Sequence, residues 1–176
     1  MVGFGANLIC YDVVENEAVK KLGGVYVSKD EIMARSDVLF LMMPLLPQTH
    51  HTINEDSLKK LKKGVILVNT SRGGLVDTKA LLKGLQSGVI GSIGMDVYEN
   101  EQEYFFQDWS ARHVQDPDLV ALLGHNEVVL TAHQAFFTQE AVDKIVSTTI
   151  DNLHDFKKGL TGQAHPNNCI PVFTSD

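Results

Sequence analysis

Short apolar runs alternate with amphipathic stretches along the chain. The runs are Leu8–Tyr11, Val25–Val27, Val38–Met42, Val65–Val68, Gly91–Met95 and Val128–Leu130, and each predicts a strand. Helical patterns lie between them. One covers about Glu17–Leu22 and is stopped by Gly23-Gly24. Ser28 with Glu31 three residues on is a capping-box pattern. Thr52–Lys63 reads as loop and helix with Asn54 as a cap, and Asp77 caps a helix over about Thr78–Gln86. A short helix over about Pro117–Leu123 precedes the last strand. The longest helix opens at Thr138 and runs to about Lys158. Ala141, Ile145, Ile150, Leu153 and Phe156 form its apolar stripe, and Gly159 ends it. Gly91 and Gly94 weaken their strand unless a backbone or ligand approaches closely. Residues 99–117 are aromatic and charged without period, which predicts a long functional loop. The tail from Leu160, with Pro166 and Pro171, shows no period. Strands alternating with helices predict an α/β fold around a doubly wound parallel sheet.

Three polar residues follow the ends of three of these runs: Arg72, Glu101 and His133. In an open parallel sheet, ligands bind beyond the carboxyl ends of the strands. A guanidinium can hold a carboxylate through two parallel hydrogen bonds, and an imidazole can move a proton near neutral pH. A carboxylate beside the imidazole can fix its tautomer and favour its charged form. Such a set suits the reduction or oxidation of a small oxo or hydroxy acid. The other histidines lack this context: His50 and His51 read as solvated in a turn after Pro47, and His113, His125, His154 and His165 have no strand end and carboxylate together beside them. Of the alternating Glu99, Glu101 and Glu103, two read as bland surface groups.

The segments Asn69–Asp77, Gly94–Glu101 and Thr131–Phe136 resemble, in order and spacing, the three signatures of the NAD-dependent D-2-hydroxyacid dehydrogenases. Tyr104–Ser110 is similar to an insertion of the D-lactate dehydrogenase branch, which disfavours the glyoxylate/hydroxypyruvate reductases and phosphoglycerate dehydrogenases. The resemblance runs from about Gly3 to about Gly159 and implies hydride transfer between NAD and a small 2-oxo or 2-hydroxy acid. It assigns Arg72 to the substrate carboxylate, His133 to proton transfer and Glu101 to holding His133. For the cofactor it implies Asp12 at the adenosine ribose, Met43, Pro44 and Thr49 at the adenosine half, Thr70, Ser71 and Arg72 at the nicotinamide side, and Asp96 near the nicotinamide amide. The family often carries another residue at Met43, which leaves that contact to backbone atoms. Phe136 would either wall a small substrate side chain or serve as a core aromatic. The resemblance also allows a homo-oligomer in the complete enzyme. A non-catalytic alternative, a regulatory or interaction module, follows relatives that work as scaffolds, the C-terminal-binding-protein corepressors.

Gly3-Phe4-Gly5 imitates a dinucleotide fingerprint but fails as one. Only Met1-Val2 precede it, the strand-like Leu8–Tyr11 follows at once, and Asp12 comes far sooner than the roughly 20 residues expected of the acidic partner. Gly3 and Gly5 are therefore expected to close a helix before the second strand of the nucleotide fold. The sequence thus predicts a partial Rossmann-like sheet lacking its first strand and Gly-rich phosphate turn, inactive alone. Strands at Leu8–Tyr11 and Val38–Met42 would have facing edges unpaired or joined to each other. The expected division is residues 1–137 as an incomplete NAD-binding domain and 138–176 as the long helix plus tail.

Composition narrows the partners. The chain has 176 residues, 44% hydrophobic and 21% charged, with net charge −7, which argues against nucleic acid. No apolar stretch approaches membrane-span length, and Cys10 and Cys169 make no disulfide framework, so a cytoplasmic protein is expected. No Cys pair or spaced His pair suggests a metal, and no G-x-S-x-G elbow suggests a serine hydrolase.

Overall fold

The computed structural model describes residues 1–158, which fall into two compact units, Met1–His133 and a second beginning at Gln134. In the first unit all strands are parallel. Strands β1 (Ile9–Cys10) and β2 (Val25–Tyr26) form one small sheet. Strands β3 (Val38–Leu41), β4 (Val65–Asn69), β5 (Ile90–Met95) and β6 (Val128–Leu130) form a second, in the order β3-β4-β5-β6. Among the described residues β1 pairs with β2 and β3 with β4, so the facing edges of β1 and β3 do not join each other.

Helices start where local side chains take up free backbone N–H groups. Helix α1 (Glu17–Lys21) is capped by Asn16, and α2 (Lys29–Arg35) by the predicted capping box of Ser28 and Glu31. Asn54 caps α3 (Glu55–Leu58), and Asp77 caps α4 (Thr78–Gln86). Helix α5 (Glu101–Tyr104) is a single turn within the segment expected to be loop. Asp116 caps α6 (Pro117–Leu123), with Pro117 at the first turn, where its missing N–H costs nothing. In the second unit Thr138 caps α7 (Gln139–Lys157). Gly159, expected to end that helix, and the tail with Pro166, Cys169 and Pro171 lie outside the described residues.

Gly5, at φ 70°, closes a 3-10 turn over Val2–Phe4, and β1 follows directly. This is the order expected of a helix end rather than of a phosphate-binding fingerprint.

One face of the larger sheet carries the core. Leu39, Leu41, Val65, Leu67, Ile90, Ile93 and Met95 are buried together with Leu81 and Leu82 of α4 and Leu119 and Leu122 of α6. The alternation of strand side chains sends the next residues to the opposite face. There Phe40, Ile66 and Val129 are 43%, 42% and 66% exposed. Gly91 marks a register shift between β4 and β5, and a Cβ on it would lie 2.7 Å from the carbonyl oxygen of Gly64. The close backbone approach expected of a strand glycine is met here by protein backbone.

Candidate active site

Strands β4, β5 and β6 run side by side and end together, with Asn69 opposite Met95 and Met95 opposite Leu130. The segments carrying Arg72, Glu101 and His133 therefore leave the sheet at neighbouring points on one edge. Hydrogen bonds then shape each exit. Buried Asn69 receives the Ser71 N–H at 3.1 Å on its side-chain oxygen and donates to the Arg72 carbonyl at 2.9 Å, folding the chain into a turn. The Ser71 hydroxyl donates to the Leu41 carbonyl at 2.9 Å, fastening that turn to β3. Arg72 is exposed, and its Nη1 donates to the Ser71 carbonyl at 2.7 Å.

Gly73 explains how the Arg72 turn meets the next loop. A Cβ there would lie 2.1 Å from the carbonyl carbon and oxygen of Tyr98 and 2.5 Å from the Glu99 nitrogen. No side chain fits. The paired glycines were expected to serve ligand approach and positive φ. Neither Gly73 nor Gly74 has positive φ, and Gly73 admits a second stretch of backbone.

His133 is reached by a short path from the sheet. Its N–H donates to the Asp96 carbonyl at 2.8 Å, and the Thr131 N–H donates to the Met95 carbonyl at 2.8 Å. His133 takes φ 53°, a left-handed conformation that a non-glycine residue adopts only under local constraint. Its Nδ1 lies 2.9 Å from Glu101 Oε1. The other Glu101 oxygen accepts the Tyr98 N–H at 3.0 Å. The carboxylate is thus fixed at both oxygens, and the ring is aimed by one nitrogen, leaving Nε2 as the one not engaged by Glu101. Arg72 has no hydrogen bond or ion pair to either residue among the described ones.

The loop between Asp96 and Glu101 hangs on a buried anchor. Tyr98 is 1% exposed, and its hydroxyl donates to Asp116 Oδ2 at 2.7 Å. Asp116 Oδ1 meanwhile accepts the Asp118 and Leu119 N–H groups at the start of α6. Burial pushes the Tyr98 hydroxyl far above its ordinary pKa, and Asp116 adds to this. Burial alone would raise Asp116. Donors from Tyr98, Leu119, Asn100 and Asp118 outweigh it and hold the carboxyl below its usual value. One carboxylate thus joins a helix start to the loop that presents Glu101. Sequence reading missed this anchor, because the two residues are 18 positions apart.

Glu99, read as bland, is not. Its Oε1 lies 2.6 Å from His51 Nε2, and its Oε2 accepts from the Thr78 hydroxyl at 2.9 Å and N–H at 3.3 Å. His51, read as solvated, is half-buried. Phe106 was also missed: its ring centroid is 6.2 Å from that of His133.

The remaining predicted residues lie where the strand ends put them. Asp12 follows β1 with an exposed carboxylate, whose Oδ1 accepts the Val14 N–H at 3.3 Å. After β3, the Thr49 hydroxyl donates to the Pro44 carbonyl at 2.7 Å, and the Thr52 hydroxyl lies 3.9 Å from Met43 Sδ. Thr70 is exposed beyond β4. Asp96 is 5% exposed and takes the Thr131 hydroxyl on Oδ1. Phe136 lies in the second unit, edge-on to Phe137. An exposed carboxylate past β1 suits ribose hydroxyls, and the polar Thr70-Ser71 turn past β4 suits the other end of a dinucleotide.

Parallel strands with polar residues at their carboxyl ends are the architecture of an α/β nucleotide-binding unit. The family model for the D-isomer specific 2-hydroxyacid dehydrogenase NAD binding domain matches residues 1–135, and the chain belongs to that family. It is 43% identical to the D-lactate dehydrogenase of Escherichia coli over 159 residues, 90% of this chain and 48% of that protein. It is 45% identical over 157 residues to a 2-hydroxyacid dehydrogenase homolog of Haemophilus influenzae, covering 89% and 47%. The D-lactate dehydrogenase of Aquifex aeolicus, solved with NAD and lactic acid, superposes with TM-score 0.83 at 36% identity, over 90% of this chain and 48% of that one. The chain thus spans about half the length of the curated relatives it matches. No helix of the described residues is long and apolar enough to cross a membrane.

Proposed function

We propose that this chain carries the cofactor-side half of the active site of an NAD-dependent D-2-hydroxyacid oxidoreductase, with pyruvate and D-lactate as the first substrates to try. The observation behind this is the His133–Glu101 pair, 2.9 Å apart at the carboxyl edge of the parallel sheet. Asp12 would take the adenosine ribose hydroxyls, with Met43, Pro44 and Thr49 along the adenosine half. Thr70, Ser71, Arg72 and Asp96 would border the nicotinamide end. Bound NADH supplies the hydride.

The chain's own groups do the rest. The Arg72 guanidinium, with five donors in a fork, would clamp the carboxylate of the oxo acid and polarise its carbonyl. His133 would donate a proton from Nε2 to the carbonyl oxygen as that oxygen gains charge. Glu101 holds the ring by Nδ1 and compensates its charge whenever it carries a second proton. In the opposite direction His133 takes the hydroxyl proton back. Residues 1–137 would act as the nucleotide domain. A cytoplasmic location goes with this reading, and two cysteines without a disulfide framework support it.

The test is NADH oxidation with a panel of 2-oxo acids. It uses the chain itself and a fusion in which the N-terminal half of the Escherichia coli D-lactate dehydrogenase precedes it. Pyruvate-dependent oxidation by the fusion, lost on His133→Gln, is expected. A fusion that binds NADH but reduces no 2-oxo acid would overturn the reading.

A further inference from the structure

A second group of possible ligands joins the loop between Asp96 and Glu101, through Glu99, to His50 and His51 in the segment after β3, apart from the pair assigned to proton transfer. One donor atom each from His50, His51 and Glu99 lies within 4.8 Å of the others. The stacked rings of His50 and His51 have centroids 3.8 Å apart. His51 Nε2 is already 2.6 Å from Glu99 Oε1. We propose that these three residues bind a divalent transition-metal ion, with zinc the first to try.

The donor set selects the metal. Two imidazoles and one carboxylate suit zinc, copper and nickel, whereas magnesium and calcium prefer oxygen throughout. In a tetrahedral zinc site with bonds of about 2.0–2.2 Å, neighbouring donors stand roughly 3.3 Å apart. His51 and Glu99 must therefore separate slightly, and the proton between them must leave Nε2. His50 must swing inward, and it is exposed and can do so. Three protein ligands leave a fourth position to water.

The two less mobile ligands are held from behind, as metal ligands usually are. Glu99 Oε2 accepts from both Thr78 groups, which directs Oε1 to His51. His51 sits at φ 49°, fixed by its N–H donating to the Gly74 carbonyl at 2.9 Å and by Asn54 Nδ2 donating to its carbonyl at 2.9 Å. A non-glycine residue held in this conformation indicates a local structure that over-determines it. An ion here would tie the His50-His51 turn to Glu99, two residues before Glu101. It would brace the loop without touching His133.

The test is zinc titration of the untagged, EDTA-treated chain by calorimetry, with cobalt absorption reporting tetrahedral coordination. One ion per chain at micromolar affinity is expected, weakened about tenfold or more by His50→Gln and by Glu99→Gln. His50 is exposed, so its substitution decides the matter even if Glu99→Gln disturbs the fold. No binding up to about 0.1 mM zinc, or binding unchanged by His50→Gln, would overturn the proposal. Neither result depends on turnover, so dehydrogenase activity stands or falls separately.

Discussion

Two histidine–glutamate pairs flank one short loop and differ in how they are built. His133–Glu101 and His51–Glu99 both involve a histidine with positive φ, and among the described residues these are the only non-glycine positions with that conformation. Glu101 engages Nδ1, and its second oxygen is spent on the loop's own backbone. Glu99 engages Nε2, and its second oxygen is spent on α4, at Thr78. In the first pair the outer nitrogen of the ring is left unengaged by the carboxylate. In the second the carboxylate takes that outer nitrogen, so the same two residue types make a brace. A His beside a Glu is therefore not by itself a catalytic sign. Which nitrogen is held, and which is left open, decides.

The comparison can be broken at the point the pairs share. Gly73→Ala puts a Cβ against the Tyr98–Glu99 peptide, which must move and carry both glutamates with it. We expect a loss of about 3–5 kcal/mol in stability or failure to fold, read by thermal unfolding. Gly74→Ala meets the Leu45 side chain at 3.0 Å and should cost far less. Arg72→Lys leaves both pairs intact and would remove the paired contact proposed for the substrate carboxylate. In the fusion it should raise the oxo-acid KM roughly tenfold to a hundredfold, with NADH affinity little changed. An unchanged KM would remove Arg72 from the clamp.

Smaller effects separate the anchor from the pairs. Tyr98→Phe deletes the donor to Asp116 and should cost about 1–2 kcal/mol at neutral pH. Asp116 also sets an acid limb. Its folded pKa lies below the ordinary carboxyl value, so its contribution is full above about pH 4 and is lost as pH falls through the lowered value. Asp116→Asn should flatten that limb in urea unfolding measured between neutral and acid pH. The least effect is expected from Phe106→Ala, a few-fold at most in turnover. That ring lies beside His133 but is 64% exposed.

The sequence disclosed what is local. Strand runs, and the caps at Ser28, Asn54, Asp77 and Thr138, are written in adjacent residues, and the structure follows them. Helix α5 was hidden because one turn is too short to show a helical period. Arg72, Glu101 and His133 were legible as residues past strand ends, and the structure brings Glu101 and His133 together. The brace at His51 was not, since its partner Glu99 is 48 residues away and nothing near His51 announces it. For the same reason Gly73 was assigned a ligand, when its neighbour is the Tyr98–Glu99 backbone.

The central claim is that only one of the two pairs moves the proton. The direct measurement is single-turnover pyruvate reduction by the fusion carrying His133→Gln or His51→Gln, with NADH affinity measured alongside. The account predicts that His133→Gln slows turnover by about 10²–10⁴-fold while NADH affinity holds. His51→Gln should slow it less than about tenfold, through looseness of the loop alone. Equal losses from the two substitutions, or a larger one at His51, would contradict it.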